Sequence, residues 1–169
     1  MGTETARLRS ERGGIETVLL AVDAADETRG ERLAEETIHV AGPTEAEVVL
    51  VHVFTSEGFD EIREKLDIDA ESEEAWPDAV ATRHATTRTI SGELSAADVD
   101  HTIRGSVGDR AGEIVELAEE VGADRVMVGG RDRSPTGKAV FGSVAQEVLL
   151  TAPCPVTFVR DDAKSVTHD

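Results

Sequence analysis

The sequence predicts an α/β fold, a parallel sheet of five strands with helices packed on it, and three observations predict it. Short apolar runs alternate with segments of helical periodicity along the chain, which is the sequence form of βαβ units. At 169 residues and 39% hydrophobic content, the chain is long enough for one well-buried core and too short for two ordinary domains. Finally, the stretch from Val126 to Val144, VMVGGRDRSPTGKAVFGSV, carries an apolar strand into a glycine turn and supplies a second Gly-Ser further on. A strand that delivers its C-terminal end to such a turn is the usual start of a ligand crevice in an open parallel sheet.

Taken in order, Thr17 to Asp23 (TVLLAVD) reads as a buried strand, followed by a helix near Glu31 to Ala41 with Ala34, Ile38 and Ala41 on one face. Val48 to Phe54 (VVLVHVF) is the second strand. From Thr55 to Pro77 the composition turns acidic and irregular, with a short helical candidate at Phe59 to Leu66; Asp60, Glu61, Glu64, Glu71, Glu73 and Glu74 read as a solvated acidic segment. A long polar helix is expected over Asp78 to Leu94, then a short edge strand at Val99 to Gly105 that ends in a turn from Gly105 to Gly108. The next helix, Arg110 to Val121, carries an apolar stripe of Ala111, Ile114, Val115, Ala118 and Val121, with Gly122 as its C-cap. Asp124 to Val128 is the fourth strand, Val140 to Thr151 the last helix, and Val156 to Val159 the fifth strand, entered through Pro153 and Pro155. Residues 1–14 and 161–169 lack apolar periodicity and read as tails around one domain of residues 15–160.

The glycine loop has the chemistry of an anion cradle. Glycine lets backbone N–H groups approach an anion, and a helix N-terminus at Gly142 and Ser143 attracts negative charge. The loop is also basic, holding Arg131, Arg133 and Lys138. A P-loop is excluded by counting, because Asp132 stands where its first glycine belongs and Ala139 follows Lys138; the Rossmann G-x-G-x-x-G is absent as well. If the first and fourth strands are neighbours, Asp23 and Gly129 face one crevice. On this reading Gly129 is open to the ligand, so a bulky residue there should abolish binding without unfolding the chain.

At these residues the chain resembles the universal stress proteins of the UspA family, over roughly residues 15–160. The features that match, in order, are Val22-Asp23 at the first strand end, VVLVHV with His52-Val53, and the Gly108 turn into the Ile114 helix. The VMVGG strand, Gly142-Ser143 and the closing P-C-P-V strand complete them. The resemblance implies a flavodoxin-like three-layer sandwich, of the adenine nucleotide alpha hydrolase type, with a five-stranded parallel sheet. It implies a homodimer paired through the last strand near Val156 to Val159, working as a cytoplasmic stress-response or regulatory protein. Some members bind ATP, with or without Mg²⁺, through G-x-x-G-x9-G-[ST]. Here Gly129, Gly142 and Ser143 fit that motif and Asp132 replaces its second glycine, placing a side chain and a negative charge where backbone should meet phosphate. Carried over by position, Ala21, Val22, Asp23 and Val53 lie near the adenosine, and Val128, Gly129 and Gly130 line base and ribose. Gly142, Ser143 and Val144 hold phosphates, with Arg131, Arg133 and Lys138 offsetting Asp132. Three functions stay open: an ATP-binding regulator, an interaction protein of the same fold that binds no nucleotide, and a slow autophosphorylating protein modified at Ser134 or Thr136.

Other chemistry finds little support. The five histidines show no metal-ligand spacing, and His52 on an apolar strand reads as a satisfied core residue. No G-x-S-x-G elbow appears, and the lone Cys154 rules out an internal disulfide. The N-terminal stretch is charged with no apolar leader core, and no run approaches a membrane span, so a cytoplasmic protein is expected.

The charge balance, 17 basic against 35 acidic residues for a net −18, disfavours nucleic acid and anionic membrane as partners. Lysine occurs only at Lys65, Lys138 and Lys164, the other basic residues being arginine. Such a surface is expected of a halophile, because molar salt shortens the Debye length to about 3 Å and screens self-repulsion. Thermal melts in low and in molar KCl test this: the midpoint should rise with salt, and a midpoint that stays level or falls would remove the halophile reading.

Overall fold

The computed structural model describes residues 14–67, 69, 71–72, 76–130 and 142–160. Five strands form one sheet: β1 Thr17–Val22, β2 Glu47–Phe54, β3 His101–Val107, β4 Arg125–Gly130 and β5 Val156–Arg160. They lie in the order β3-β2-β1-β4-β5, every pair parallel. β1 and β4 pair directly, Val18 beside Arg125 through Ala21 beside Val128, so the strand order reverses between them.

The helices are α1 Gly30–Thr44, α2 Ser56–Lys65, α3 Pro77–Arg83, α4 Ala85–Ala96, α5 Arg110–Val121 and α6 Ser143–Thr151, with a 3-10 turn at Ala24–Arg29. Alternate residues of each strand serve opposite faces. Leu20, Leu50 and Met127 pack with Leu33, Ile90 and Leu94 of α1 and α4. Leu19, Val51 and Val126 pack with Leu117 and Val148 of α5 and α6. Because both faces are covered, the central strands read as unbroken apolar runs. α5 has the predicted bounds, since Asp109 caps its N-terminus by accepting the Gly112 N–H at 2.9 Å and Gly122 ends it at φ 66.

The single helix expected over Asp78 to Leu94 is two, α3 and α4, broken at His84 with φ −74 and ψ 139. The cause is tertiary. α3 runs against the outer strand, where the Asp78 carboxylate accepts the Gly105 N–H at 2.7 Å and a Cβ on Gly105 would meet the Pro77 carbonyl oxygen at 2.0 Å. α4 then turns away to pack on α1, and His84 caps it by accepting the Thr86 N–H at 3.3 Å. Gly105 is thus a strand residue set by close approach, while the turn belongs to Gly108, at φ 144.

His52 is a core residue, 1% exposed, but not a satisfied one: neither ring nitrogen has a hydrogen-bond partner. The ring stacks on Phe54 with centroids 4.3 Å apart and leans on His84 at 4.1 Å. Burial, with a smaller push from His84, holds its pKa down at about 3 from 6.5. Between those two values the unfolded chain carries a proton that the folded one does not. Stability from this site is therefore complete above pH 6.5 and falls as pH drops, by up to about 1.4 kcal/mol per pH unit. Denaturant midpoints from pH 7 to 4.5 should fall less steeply in His52→Phe than in the natural chain, and equal slopes would contradict a neutral buried His52.

Candidate functional site

Where β1 and β4 part, a cleft of about 290 Å³ opens at their C-terminal ends. Its lining includes every described residue that the sequence singled out: Ala21, Val22, Asp23 and Val53 on one side, and Val128, Gly129, Gly130, Gly142, Ser143 and Val144 on the other. Arg131, Arg133 and Lys138 lie outside the described residues, as do Asp132, Ser134, Thr136 and residues 1–13 and 161–169 of the tails. The floor is the upper end of the core beneath α5 and α6, with Ala21, Val53, Val128, Ile114 and Ala145 all buried. A larger groove, about 480 Å³, follows the outer side of α1, but its walls are mainly charged side chains such as Arg32, Glu35 and Glu93. It lacks the apolar floor with a few converging polar groups that marks a small-molecule site.

The polar groups of the cleft form two ion pairs. Asp23, at the end of β1, accepts a hydrogen bond from Arg110 Nη1 at 2.8 Å. The strand end is also held by Asp26, whose Oδ2 accepts the Asp23 N–H at 2.9 Å. Asp26 also pairs with Arg29, both of them buried. Burial pushes the Asp26 carboxyl above its usual range and the Asp23 charge adds to this, while the Asp23 N–H and Arg29 oppose it.

The far wall is the first turn of α6. Gly142 is its N-cap residue, at φ −65 and ψ 159, so Ser143 opens the helix instead of capping it. With no side chain on the cap, the first N–H groups of the helix receive no oxygen from a Gly142 side chain, and among the described residues nothing lies within 4 Å of where a Cβ on Gly142 would stand.

The cleft residues not anticipated are Asp26, Arg29, Arg110, Ile114 and Ala145. Asp26 carried a weak signal, three residues beyond Asp23 in a turn; Arg110 reaches Asp23 across a separation of 87 residues, which no local pattern encodes.

Comparison with known proteins adds the family. The model of the universal stress protein family matches residues 14–160, and the chain belongs to that family. A universal stress protein of Mycolicibacterium smegmatis is 34% identical over 94 residues, 55% of this chain and 72% of that protein. The universal stress protein from Archaeoglobus fulgidus superposes with a TM-score of 0.58 at 25% identity, covering 86% of this chain and 98% of that one. Two further solved structures carry adenine nucleotides in their own chains. One is the Archaeoglobus fulgidus protein in complex with dAMP, with TM-score 0.52, 21% identity, and 86% and 98% covered. The other is a family protein from Arabidopsis thaliana with AMP bound, with TM-score 0.60, 17% identity, and 91% and 97% covered.

The structure changes what Gly129 is expected to do. A Cβ there would lie 2.8 Å from Arg29 Cδ and 2.9 Å from Asp26 Oδ1, so the glycine makes room for a buried ion pair. A bulky substitution is therefore a stability defect and not a clean test of binding. Gly129→Ala should cost about 1 to 3 kcal/mol by overpacking, seen as a lower denaturation midpoint without any ligand. A midpoint equal to that of the natural chain would mean the pair moves aside freely.

Proposed function

We propose that this member of the universal stress protein family binds an adenine nucleotide, ATP in particular, in the cleft between β1 and β4 and acts as a regulatory homodimer. The observation that carries the reading is the convergence of ten motif-bearing residues, from distant parts of the chain, on one cleft lined by an apolar floor and by the first turn of α6. The base lies at the Val53 and Ile114 end, the ribose at Asp23 and Gly129, and the phosphates at the first turn of α6. Backbone N–H groups and the helix dipole favour negative charge at that turn, and Arg131, Arg133 and Lys138 complete the phosphate end. Mg²⁺ enters as a counter-ion of the phosphates, since no three His, Cys, Asp or Glu side chains converge among the described residues.

The two copies pair through β5. It is one outer strand of the sheet, and beside it Leu149 and Leu150 of α6 are exposed, Leu150 by 78%. The other outer strand, β3, is shielded by α3 through Pro77 and Asp78, which leaves β5 as the edge suited to a partner. A second reading, an interaction protein of the same fold without a nucleotide, is favoured by Asp132 at the second glycine of the motif.

Gly142→Asp separates the two. Asp is a good N-cap, the backbone there is already extended, and no described residue crowds the Cβ position, so the fold should be as stable as before or more so. Its carboxylate takes the N–H groups proposed for phosphate and adds a like charge, which at an effective dielectric of about 20 to 80 costs about 1 kcal/mol or more. Calorimetric titration in molar KCl, on protein shown by light scattering to have a two-chain mass, should give ATP binding to the natural chain, about tenfold weaker in the variant. Adenosine affinity should be equal in both. Equal ATP affinity would misplace the phosphates, absence of binding to the folded natural chain would leave the second reading, and a one-chain mass would remove the dimer.

A further inference from the structure

Arg110 is out of place by the rules of helix termini. It is the first residue of α5, where the positive end of the helix dipole disfavours a cation and favours Asp, Glu or Pro. Its side chain lines the cleft, with Nη1 donating to Asp23 Oδ2 at 2.8 Å and the side chain still 37% exposed. Ile114, four residues on and so on the same face of the helix, is 4% exposed, and Val53, reaching in from β2, is 2% exposed. A planar cation is thus tethered in the lining of the cleft that Val53 and Ile114 also line. Positions where a local preference is overridden and a distant partner compensates are where function is to be sought.

We propose that Arg110 is the base-contact residue of the cleft, its guanidinium stacking on a purine ring laid against Val53 and Ile114. The carboxylate of Asp23 bonds the guanidinium in its plane, which leaves the faces, weakly hydrated, for stacking. A purine offers a wider face than a pyrimidine, so the contact prefers adenine over cytosine. Lysine cannot replace it: an ammonium keeps the charge and a bond to Asp23, but has no plane. The inference rests on the reading that a nucleotide occupies this cleft with its base at the Val53 end.

The test titrates adenosine, AMP and CMP into the full-length chain and into Arg110→Ala and Arg110→Lys, in molar KCl, where stacking survives screening. Both variants should bind adenosine and AMP more weakly by the same factor, about fivefold to thirtyfold, and should lose part of the preference for AMP over CMP. Three results overturn the proposal: full adenosine affinity in Arg110→Lys, which makes charge the relevant property; a loss for AMP without one for adenosine, which makes Arg110 a phosphate contact; or unchanged affinities throughout. Failure of the natural chain to bind either AMP or ATP instead sinks the functional reading itself. Melting midpoints confirm folding, and the conservative Arg110→Lys carries the test alone should Arg110→Ala not fold.

Discussion

A parallel sheet has to bury both of its faces, and the site in this protein is a by-product of how the chain meets that requirement. Connections between parallel strands are right-handed, so the face a helix covers depends on the direction in which the chain steps across the sheet. From β1 it steps to β2 and then β3, which puts α1 and α4 on one face; from β3 it returns to β4 and goes on to β5, which puts α5 and α6 on the other. At β1 and β4 the chain leaves in opposite directions. The helices that follow them therefore cannot both close over the strand ends, and a crevice remains.

What fills the edges of that crevice is packing as much as ligand chemistry. Gly129 lies under the Asp26–Arg29 pair and Gly130 lies under Phe158, whose ring carbon Cε1 is 2.7 Å from a notional Cβ. Both glycines would be needed if nothing ever bound. Gly142 differs, because no described residue comes within 4 Å of its Cβ position. The glycines of one motif thus have two physical grounds, close packing at the strand end and an open helix cap at the far wall.

Much of the fold was legible because its signals are local or periodic. The central strands announce themselves as apolar runs, and α5 is bounded by a capping Asp109 and a left-handed Gly122, both readable from sequence. The break at His84 was not legible, since neither proline nor glycine marks it; it exists because α3 must lie on Gly105 while α4 must lie on α1. The unsatisfied state of His52 was equally hidden, since it depends on what surrounds an apolar strand after folding. Of the candidate site, the strand-end and helix-start residues could be placed by spacing. Arg29 and Arg110 could not, because a charged residue at the end of a turn or the start of a helix is silent until its partner is known.

The electrostatics of the cleft run against those of the whole chain. The chain carries a net charge of −18, a field that repels any anionic ligand at long range. The cleft itself is nearly balanced, since Asp23 is matched with Arg110 and Asp26 with Arg29. Molar salt screens the first effect over about 3 Å and leaves contact-range pairs largely intact. Under such conditions net charge neither draws a nucleotide in nor keeps it out. A nucleotide in the proposed site would then owe its affinity to terms that salt leaves standing: burial of a base on apolar residues such as Val53 and Ile114, hydrogen bonds from the first turn of α6, and stacking on Arg110. A strongly acidic protein could hold an anion in this way, through shape, apolar surface and oriented donors ahead of charge.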